Sequence, residues 1–147
     1  MSPATVDPLV HRLQEVLAGE HAALYAYSVI GGRLDPDSPV VARAVASYEA
    51  HRSRRDRLAL RLRDLGERPV VAEPGYALPL PVQGVPSAAV LAQRVEDRCA
   101  VLYASLVATA PAATAERSLG STSLVDASTR ALGWGAPTTA FPGVARP

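Results

Sequence analysis

Residues 67–86, ERPVVAEPGYALPLPVQGVP, decide the fold of this chain. Five of these 20 residues are prolines, at positions 69, 74, 79, 81 and 86. Proline lacks a backbone donor and disrupts helix interiors, so this proline-rich strap is predicted to be extended or polyproline-like. The sequence on either side has helical periodicity, which predicts that the strap connects one pair of helices to another.

Four helices are predicted, at residues 7–32, 38–65, 87–110 and 114–133, followed by an irregular tail at 134–147. Asp7-Pro8 and Ser38-Pro39 each place a capping residue before a proline, which is a helix-start signal. The pair Gly31-Gly32 favours termination of the first helix. Helices of about 20 to 28 residues are roughly 30 to 40 Å long, which is typical of helical bundles.

The lengths of the connections predict the topology. The first and third links are short, so the helices that they join should be antiparallel neighbours. The long strap allows the chain to cross from one end of a bundle to the other. We therefore predict an all-α, antiparallel four-helix bundle with ferritin-like connectivity, forming a single domain over residues 1–147.

Composition excludes several classes of protein. The chain has 147 residues with 48% hydrophobic residues, 20% charged residues and a net charge of +1. Near neutrality predicts neither nucleic-acid nor membrane binding, and the arginines of residues 52–63 are spread around their helix among acidic residues. No apolar run approaches a membrane span, and no secretory signal is visible. A single cysteine, Cys99, cannot form an internal disulfide, so a cytoplasmic location is expected.

The helical wheel predicts polar residues in the core. Glu20 lies inside the apolar stripe of the first helix, and His51 and Arg55 lie within that of the second. Glu96 and Tyr103 flank the stripe of the third helix. A buried charge needs a partner, so these residues are predicted to satisfy one another. The predicted buried polar cluster comprises Glu20, His51, Arg55, Glu96, Tyr48 and Tyr103.

Other predicted faces follow from the same wheel. The second helix should bury Val40, Ala44, Tyr48, Leu58, Leu62 and Leu65, and its outward face should carry Arg54 among other charged residues. The fourth helix has a thin apolar face of Leu124, Val125, Ser128 and Leu132, with Asp126 and Glu116 on the far side. Cys99 should be a small core residue.

The candidate ligands for a di-metal centre are incomplete. Such bundles use four carboxylates and two histidines, including a Glu-x-x-His pair on each of two helices. Here Tyr48 precedes His51 by three residues, and the fourth helix has no histidine. Arg55 beside His51 would also repel a cation. A closed polar cluster without a cofactor is therefore favoured, and the alternative is an iron- or manganese-dependent oxidoreductase or metal-binding protein using Glu20, His51 and Glu96.

Glu73 and Tyr76 are the candidate functional residues of the strap. Tyr76 and Leu78 are predicted to anchor the strap over the helices, since long unanchored loops are uncommon in compact domains. A weaker alternative is that Tyr76 roofs a pocket for a small ligand between the helices.

Three runs of sequence carry a family resemblance: AGEHAALYAY at 18–27, AHRSRRDRL at 50–58 and AEPGYALPLPV at 72–82. In this order they resemble the actinobacterial ferritin-like domain family of unknown function. The resemblance covers most of the chain and is weakest in the fourth helix. It implies a four-helix bundle that pairs as a dimer, without an established activity. The family's recurrent positions map onto Glu20, His21, His51, Arg54, Arg55, Asp56, Glu73 and Tyr76.

The sequence thus predicts a structural or partner-binding module that forms a homodimer. Apolar residues outside the main stripes supply a candidate second contact face. These residues are Val29, Ile30, Val90 and Val101.

Overall fold

The computed structural model describes residues 7–144, and this part of the chain contains four helices and no strand. The helices are α1 (Pro8–Arg33), α2 (Val41–Asp64), α3 (Val85–Thr109) and α4 (Ala115–Gly133). The prediction of an all-helical chain with four helices is confirmed. The tail predicted at 134–147 is described only as far as residue 144. None of the four helices combines the length and the apolar character that a bilayer crossing requires.

Side-chain caps begin α1 and α4. Asp7 Oδ1 accepts a hydrogen bond from the backbone N–H of Leu9 at 2.8 Å, with a proline following the cap. Thr114 Oγ1 accepts from the backbone N–H of Arg117 at 3.3 Å. Each contact satisfies a donor that the first turn of a helix leaves without an intrahelical partner.

The starts of α2 and α3 differ from the predicted ones by two or three residues. Ser38 lies in a turn whose carbonyl accepts from the Val41 N–H at 3.1 Å, so it precedes the helix rather than capping it. The last two residues of the strap, Val85 and Pro86, form the first turn of α3, where a missing proline N–H costs nothing. The α1 helix also continues through both glycines, 31 and 32, to Arg33.

Two hydrophobic clusters form the core, one towards each end of the helices. The first is built around Leu13, Leu17, Leu58, Leu62 and Leu106. The second is built around Ile30, Ala44, Leu91, Val82 and Trp134. The strap therefore contributes to the core through Val82, and the residue that caps the C-terminus of α4 contributes through Trp134.

The α3 and α4 helices approach each other closely at Gly120. A Cβ atom at this position would lie 2.9 Å from Val107 Cγ2 and 3.4 Å from the carbonyl oxygen of Tyr103. The buried face of α4 consists of Glu116, Leu119, Gly120, Ser123, Ala127 and Ala131. The predicted apolar face of α4 was only partly correct: Leu124 packs against the first hydrophobic cluster, but Val125 and Leu132 are 66% and 46% exposed. Glu116, predicted on the far side, is buried. Small residues allow the backbones of α3 and α4 to approach closely, so this approach, more than hydrophobicity, determines which face of α4 is buried.

The α2 and α4 helices are instead joined by long side chains, which we call the arginine seam. Arg54 pairs with Asp126 and Arg61 pairs with Glu116. At the other end of α2, the guanidinium carbon of Arg43 lies 5.4 Å from the ring centroid of Trp134. Arg54 was predicted on the outward face, but only 7% of it is exposed.

The strap is held against α1 at several points. Gln14 donates to the carbonyl oxygen of Arg68 and accepts from the backbone N–H of Val70, both at 2.8 Å. The ring of Tyr76 lies 5.5 Å from that of Tyr25. These contacts fix the path of a segment that has neither helical nor strand hydrogen bonding.

Candidate functional site

Three helices each contribute one charged side chain to a buried site near the middle of the core. Glu20 on α1, His51 on α2 and Glu96 on α3 have exposed fractions of 1%, 0% and 0%. Charged groups are rarely buried this completely unless they are paired. Their mutual contacts therefore decide whether the site is stable.

His51 joins the two carboxylates through both of its ring nitrogens. Its Nδ1 lies 2.6 Å from Glu20 Oε2, and its Nε2 lies 3.2 Å from Glu96 Oε1. Only a doubly protonated imidazolium can donate to an acceptor from both nitrogens. Burial favours the neutral ring, but the hydrogen bonds to Glu20 and Glu96 outweigh it and raise the pKa of His51 to about 9.

Two tyrosines complete the hydrogen bonding of the carboxylates. The Tyr27 hydroxyl donates to Glu96 Oε1 at 2.6 Å, and the Tyr103 hydroxyl donates to Glu20 Oε1. Burial, and then the neighbouring carboxylate, raise the pKa of each phenol above its usual value, so both remain protonated donors. The Tyr27 ring also stacks on His51 with centroids 5.3 Å apart. We call Glu20, His51, Glu96, Tyr27 and Tyr103 the polar cluster.

The structure brings together four of the six predicted cluster residues: Glu20, His51, Glu96 and Tyr103. Arg55 lies outside, where its Nε and Nη2 donate to Asp56 Oδ1 at 2.9 and 2.7 Å. Tyr48 is half-buried and packs against the second hydrophobic cluster. The placement of Arg55 and Tyr48 in the cluster is corrected accordingly.

The register of α2 explains this correction. Its buried residues are Ala44, Ser47, His51, Arg54, Leu58 and Leu62, which recur every three or four positions. This repeat includes Arg54 and excludes Arg55, although both are within one turn of His51. The Arg54 guanidinium carbon lies 5.8 Å from the centroid of the Tyr103 ring, so it is the arginine that contacts the polar cluster.

Sequence reasoning also missed the role of Tyr27. Tyr27 is aromatic and lies on the apolar stripe of α1, seven positions after Glu20. Two helical turns place residues seven apart on nearly the same face, and a phenol aligned with a buried carboxylate is a usable signal for a hydrogen-bonded partner.

The thiol of Cys99 lies next to the polar cluster. One ligand atom from each of Glu20, His51 and Cys99 lies within 4.8 Å of the others. Burial, followed by the charges of Glu20 and Glu96, raises the pKa of the Cys99 thiol well above its usual value. Burial of the thiol therefore disfavours the thiolate that nucleophilic attack requires.

These residues do not fit an iron or manganese centre of the di-metal type. Both nitrogens of His51 face carboxylate oxygens, so a metal could reach the ring only by replacing one of these contacts. Within residues 7–144, Glu96 Oε2 is the one carboxylate oxygen of the polar cluster without a hydrogen-bond partner. A single carboxylate oxygen without a partner cannot replace the four carboxylates and two histidines that a di-metal centre uses.

The strap residues Glu73 and Tyr76 lie apart from the polar cluster. The backbone N–H of Glu73 donates to the Tyr76 hydroxyl at 3.0 Å, which closes a local turn. His21, a position that the resemblance indicated, places its Nε2 3.1 Å from the carbonyl oxygen of Val70 in the strap. These residues connect the strap to α1 rather than to the buried charges.

Comparison with known proteins gives a family without a known activity. Residues 12–146 match the family described as a domain of unknown function, DUF4439. The crystal structure of a conserved hypothetical protein, rv2844, from Mycobacterium tuberculosis is similar, with 31% identity and a TM-score of 0.79. The similarity covers 90% of this chain and 95% of that one. No curated protein matches the sequence. Since the match spans nearly the whole chain, the protein belongs to the DUF4439 family of domains of unknown function.

Proposed function

We propose that this chain is a ferritin-like, antiparallel four-helix bundle in which a closed polar cluster occupies the position of a di-metal centre. It acts in the cytoplasm as a structural or partner-binding module rather than as an enzyme. The observation that carries this proposal is the pairing of both His51 nitrogens with carboxylates that are themselves capped by tyrosines.

The order of contacts along the helices supports the antiparallel arrangement. Between α1 and α3, Glu20 meets Tyr103 whereas the later Tyr27 meets the earlier Glu96. Between α2 and α4, the pairs of the arginine seam run in opposite directions along the two helices. With short links within each helix pair, the strap then has to run the length of the bundle, as ferritin-like connectivity requires.

The composition of the polar cluster supports a structural role. A protonated His51 between two carboxylates neutralises one of their two negative charges, and the phenols supply further donors without adding charge. Three of the four carboxylate oxygens accept from a donor on another helix, and Glu96 Oε2 is the exception among the described residues. Such a network holds three helices in one register and leaves no reactive group facing a substrate.

Metal analysis tests this proposal directly. We expect protein expressed with iron, manganese and zinc, and purified without a histidine tag, to contain no stoichiometric metal by mass spectrometry. A chelator should leave its melting temperature unchanged. Near-stoichiometric metal that is lost in Glu20→Ala, but retained when the exposed Glu49 is replaced by alanine, would overturn the proposal in favour of metal-dependent chemistry.

A homodimer is the partner arrangement that we propose, through a revised face. Ile30 is fully buried and Val29 packs against the second hydrophobic cluster, so neither is available for a dimer contact. Exposed apolar side chains instead gather where α3, α4 and the tail meet. They are Val101, Leu132, Phe141 and Val144, which line one shallow cavity. An apolar patch of this kind is typical of an interface between subunits.

We expect a dimer mass by sedimentation at micromolar concentration, and a monomer mass for the Val101→Glu/Phe141→Glu variant. The matched control is Val45→Glu, which adds a charge at an exposed valine on α2. A concentration-independent monomer mass for the unmodified chain would contradict the dimer.

A further inference from the structure

A second cavity lies on the other side of the molecule, between α1, α3 and the strap. Its volume is about 820 Å³. This lies within the roughly 300–1,000 Å³ that small-molecule sites usually occupy. The polar cluster does not use it, and Cys99 is the residue that separates the two.

The walls of this cavity are apolar and built from small residues. The α1 side presents Gly19 and four alanines, at positions 18, 22, 23 and 26, and the α3 side presents larger aliphatic residues such as Val95. Ala18, Ala22 and Ala26 recur every four residues, so they line a channel along one face of α1 beneath the strap. Leu102 reaches across to Gly19, where an added Cβ atom would clash with Leu102 Cδ1. A channel of this shape suits an unbranched alkyl chain.

The roof of the cavity is already in place. Tyr76, Leu78 and Pro79 of the strap lie over it, and the contact of Tyr76 with Tyr25 fixes their position. Leu78 also packs against the second hydrophobic cluster. A preformed roof lowers the ordering cost that a ligand would otherwise meet on binding.

Two arginines give the edge of the cavity a positive charge. Arg94 and Arg98 are exposed, lie four residues apart on α3 and therefore share one face. Across residues 7–144, neither guanidinium has an ion pair or a side-chain hydrogen bond, whereas most other arginines of α2 and α4 have one. Glu15, the acidic residue of the lining, is paired with Arg12 and His11.

We propose that this cavity binds a single-chain anionic amphiphile. The alkyl chain would lie in the alanine-lined channel under the strap, and Arg94 and Arg98 would bind the head group. The planar donors of arginine match both carboxylates and phosphates, so the shared chemistry is an oxyanion on an unbranched chain. This site is independent of the polar cluster and of the proposed structural role.

Three probes with the same alkyl chain test the proposal by titration calorimetry on the protein. They are dodecanoate, dodecyl phosphate and the uncharged dodecanol. The two anions are used below their micelle concentrations, and the alcohol, which forms no micelles, is used below its solubility limit. We expect saturable binding of at least one anion, at one ligand per chain, and binding of dodecanol weaker by about tenfold or more. Binding of dodecanoate alone, or of dodecyl phosphate alone, supports the proposal and identifies the head group.

Matched variants test the arginine contacts with the head group and the channel for the alkyl chain one at a time. Arg94→Gln/Arg98→Gln should weaken anion binding by about tenfold, whereas Arg57→Gln/Arg63→Gln removes the same charge from exposed positions on α2 and should not. Ala22→Phe should fill the channel and abolish binding while leaving the helical circular dichroism unchanged. Equal affinity for dodecanol and the anions, equal losses in both arginine variants, or no saturable binding would overturn the proposal.

Discussion

Replacing His51 with alanine is expected to lower the free energy of unfolding by about 3–5 kcal/mol, the usual cost of breaking a buried ion pair by removing one partner. The substitution leaves Glu20 and Glu96 buried without the cation between them. It also leaves a cavity against the stacked ring of Tyr27. Urea unfolding with linear extrapolation measures the change.

His11→Ala is the matched control, since His11 lies on the exposed side of α1 and contacts only Glu15 among the described residues, at 3.4 Å. Its effect should stay within about 0.5 kcal/mol. A loss below about 1 kcal/mol for His51→Ala would contradict the network, because the two carboxylates would then have to be stable without their partner.

Raising the pH from 6 to 9 is expected to remove about 3 kcal/mol of stability through His51. The pKa of His51 is raised to about 9 in the folded chain, against about 6.5 in an unfolded one. A raised pKa means that the folded state binds the proton more tightly. Its contribution is therefore complete below about pH 6.5 and is lost as the pH rises through 9.

The groups that face His51 define what else titrates in this range. They are Glu20 and Tyr27 on α1 and Glu96 and Cys99 on α3. Tyr103 on α3 follows through its hydrogen bond to Glu20, and Arg54 on α2 through its contact with the Tyr103 ring. The unfolded phenols ionise at about pH 10, so the raised pKa values of Tyr27 and Tyr103 affect stability mainly above pH 9. An unfolded thiol ionises at about pH 8.5, so the raised pKa of Cys99 adds to the loss of stability as the pH approaches 9. Nuclear magnetic resonance of the His51 ring measures its own midpoint separately. A midpoint at or below pH 7, with stability flat from pH 6 to 9, would contradict this assignment.

Local signals were sufficient to predict the four helices. The proline-rich strap, the Asp7 cap and the short third link each act within a few residues, so they can be recognised without tertiary information. The starts of α2 and α3 were less accurate. Ser38 and Ser87 are both possible caps, and only the surrounding turn determines whether the helix begins at, before or after such a residue.

The charged part of the polar cluster was visible on the helical wheel, but its partners were not. Glu20 and His51 stand out because they interrupt apolar stripes. The choice between Arg54 and Arg55 depends on a rotation of α2 by a fraction of a turn, which is set by packing against α1 and α4. Tyr27 was hidden for the opposite reason, since an aromatic residue fits an apolar stripe without signalling that its hydroxyl is used.

Hydrophobicity predicted the buried face of α4 only in part. Its buried residues include Gly120, Ser123 and two alanines, while Val125 is exposed. Burial here reflects how near the α3 backbone lies, and that distance is a property of the pair of helices rather than of either sequence.

The arginine seam makes the contact between α2 and α4 depend on charge, unlike the contact between α3 and α4. The contacts of α4 with α3 rest on close packing, which salt leaves unaffected, whereas its contacts with α2 rest largely on charges. Arg61 and Asp126 are partly exposed, so ions in solution can screen both pairs. Raising the ionic strength therefore weakens the contacts between α2 and α4 more than those between α3 and α4. The α2–α4 boundary is where local opening, and with it amide exchange, becomes easier as salt rises, while α3 and α4 stay together as one cooperative unit.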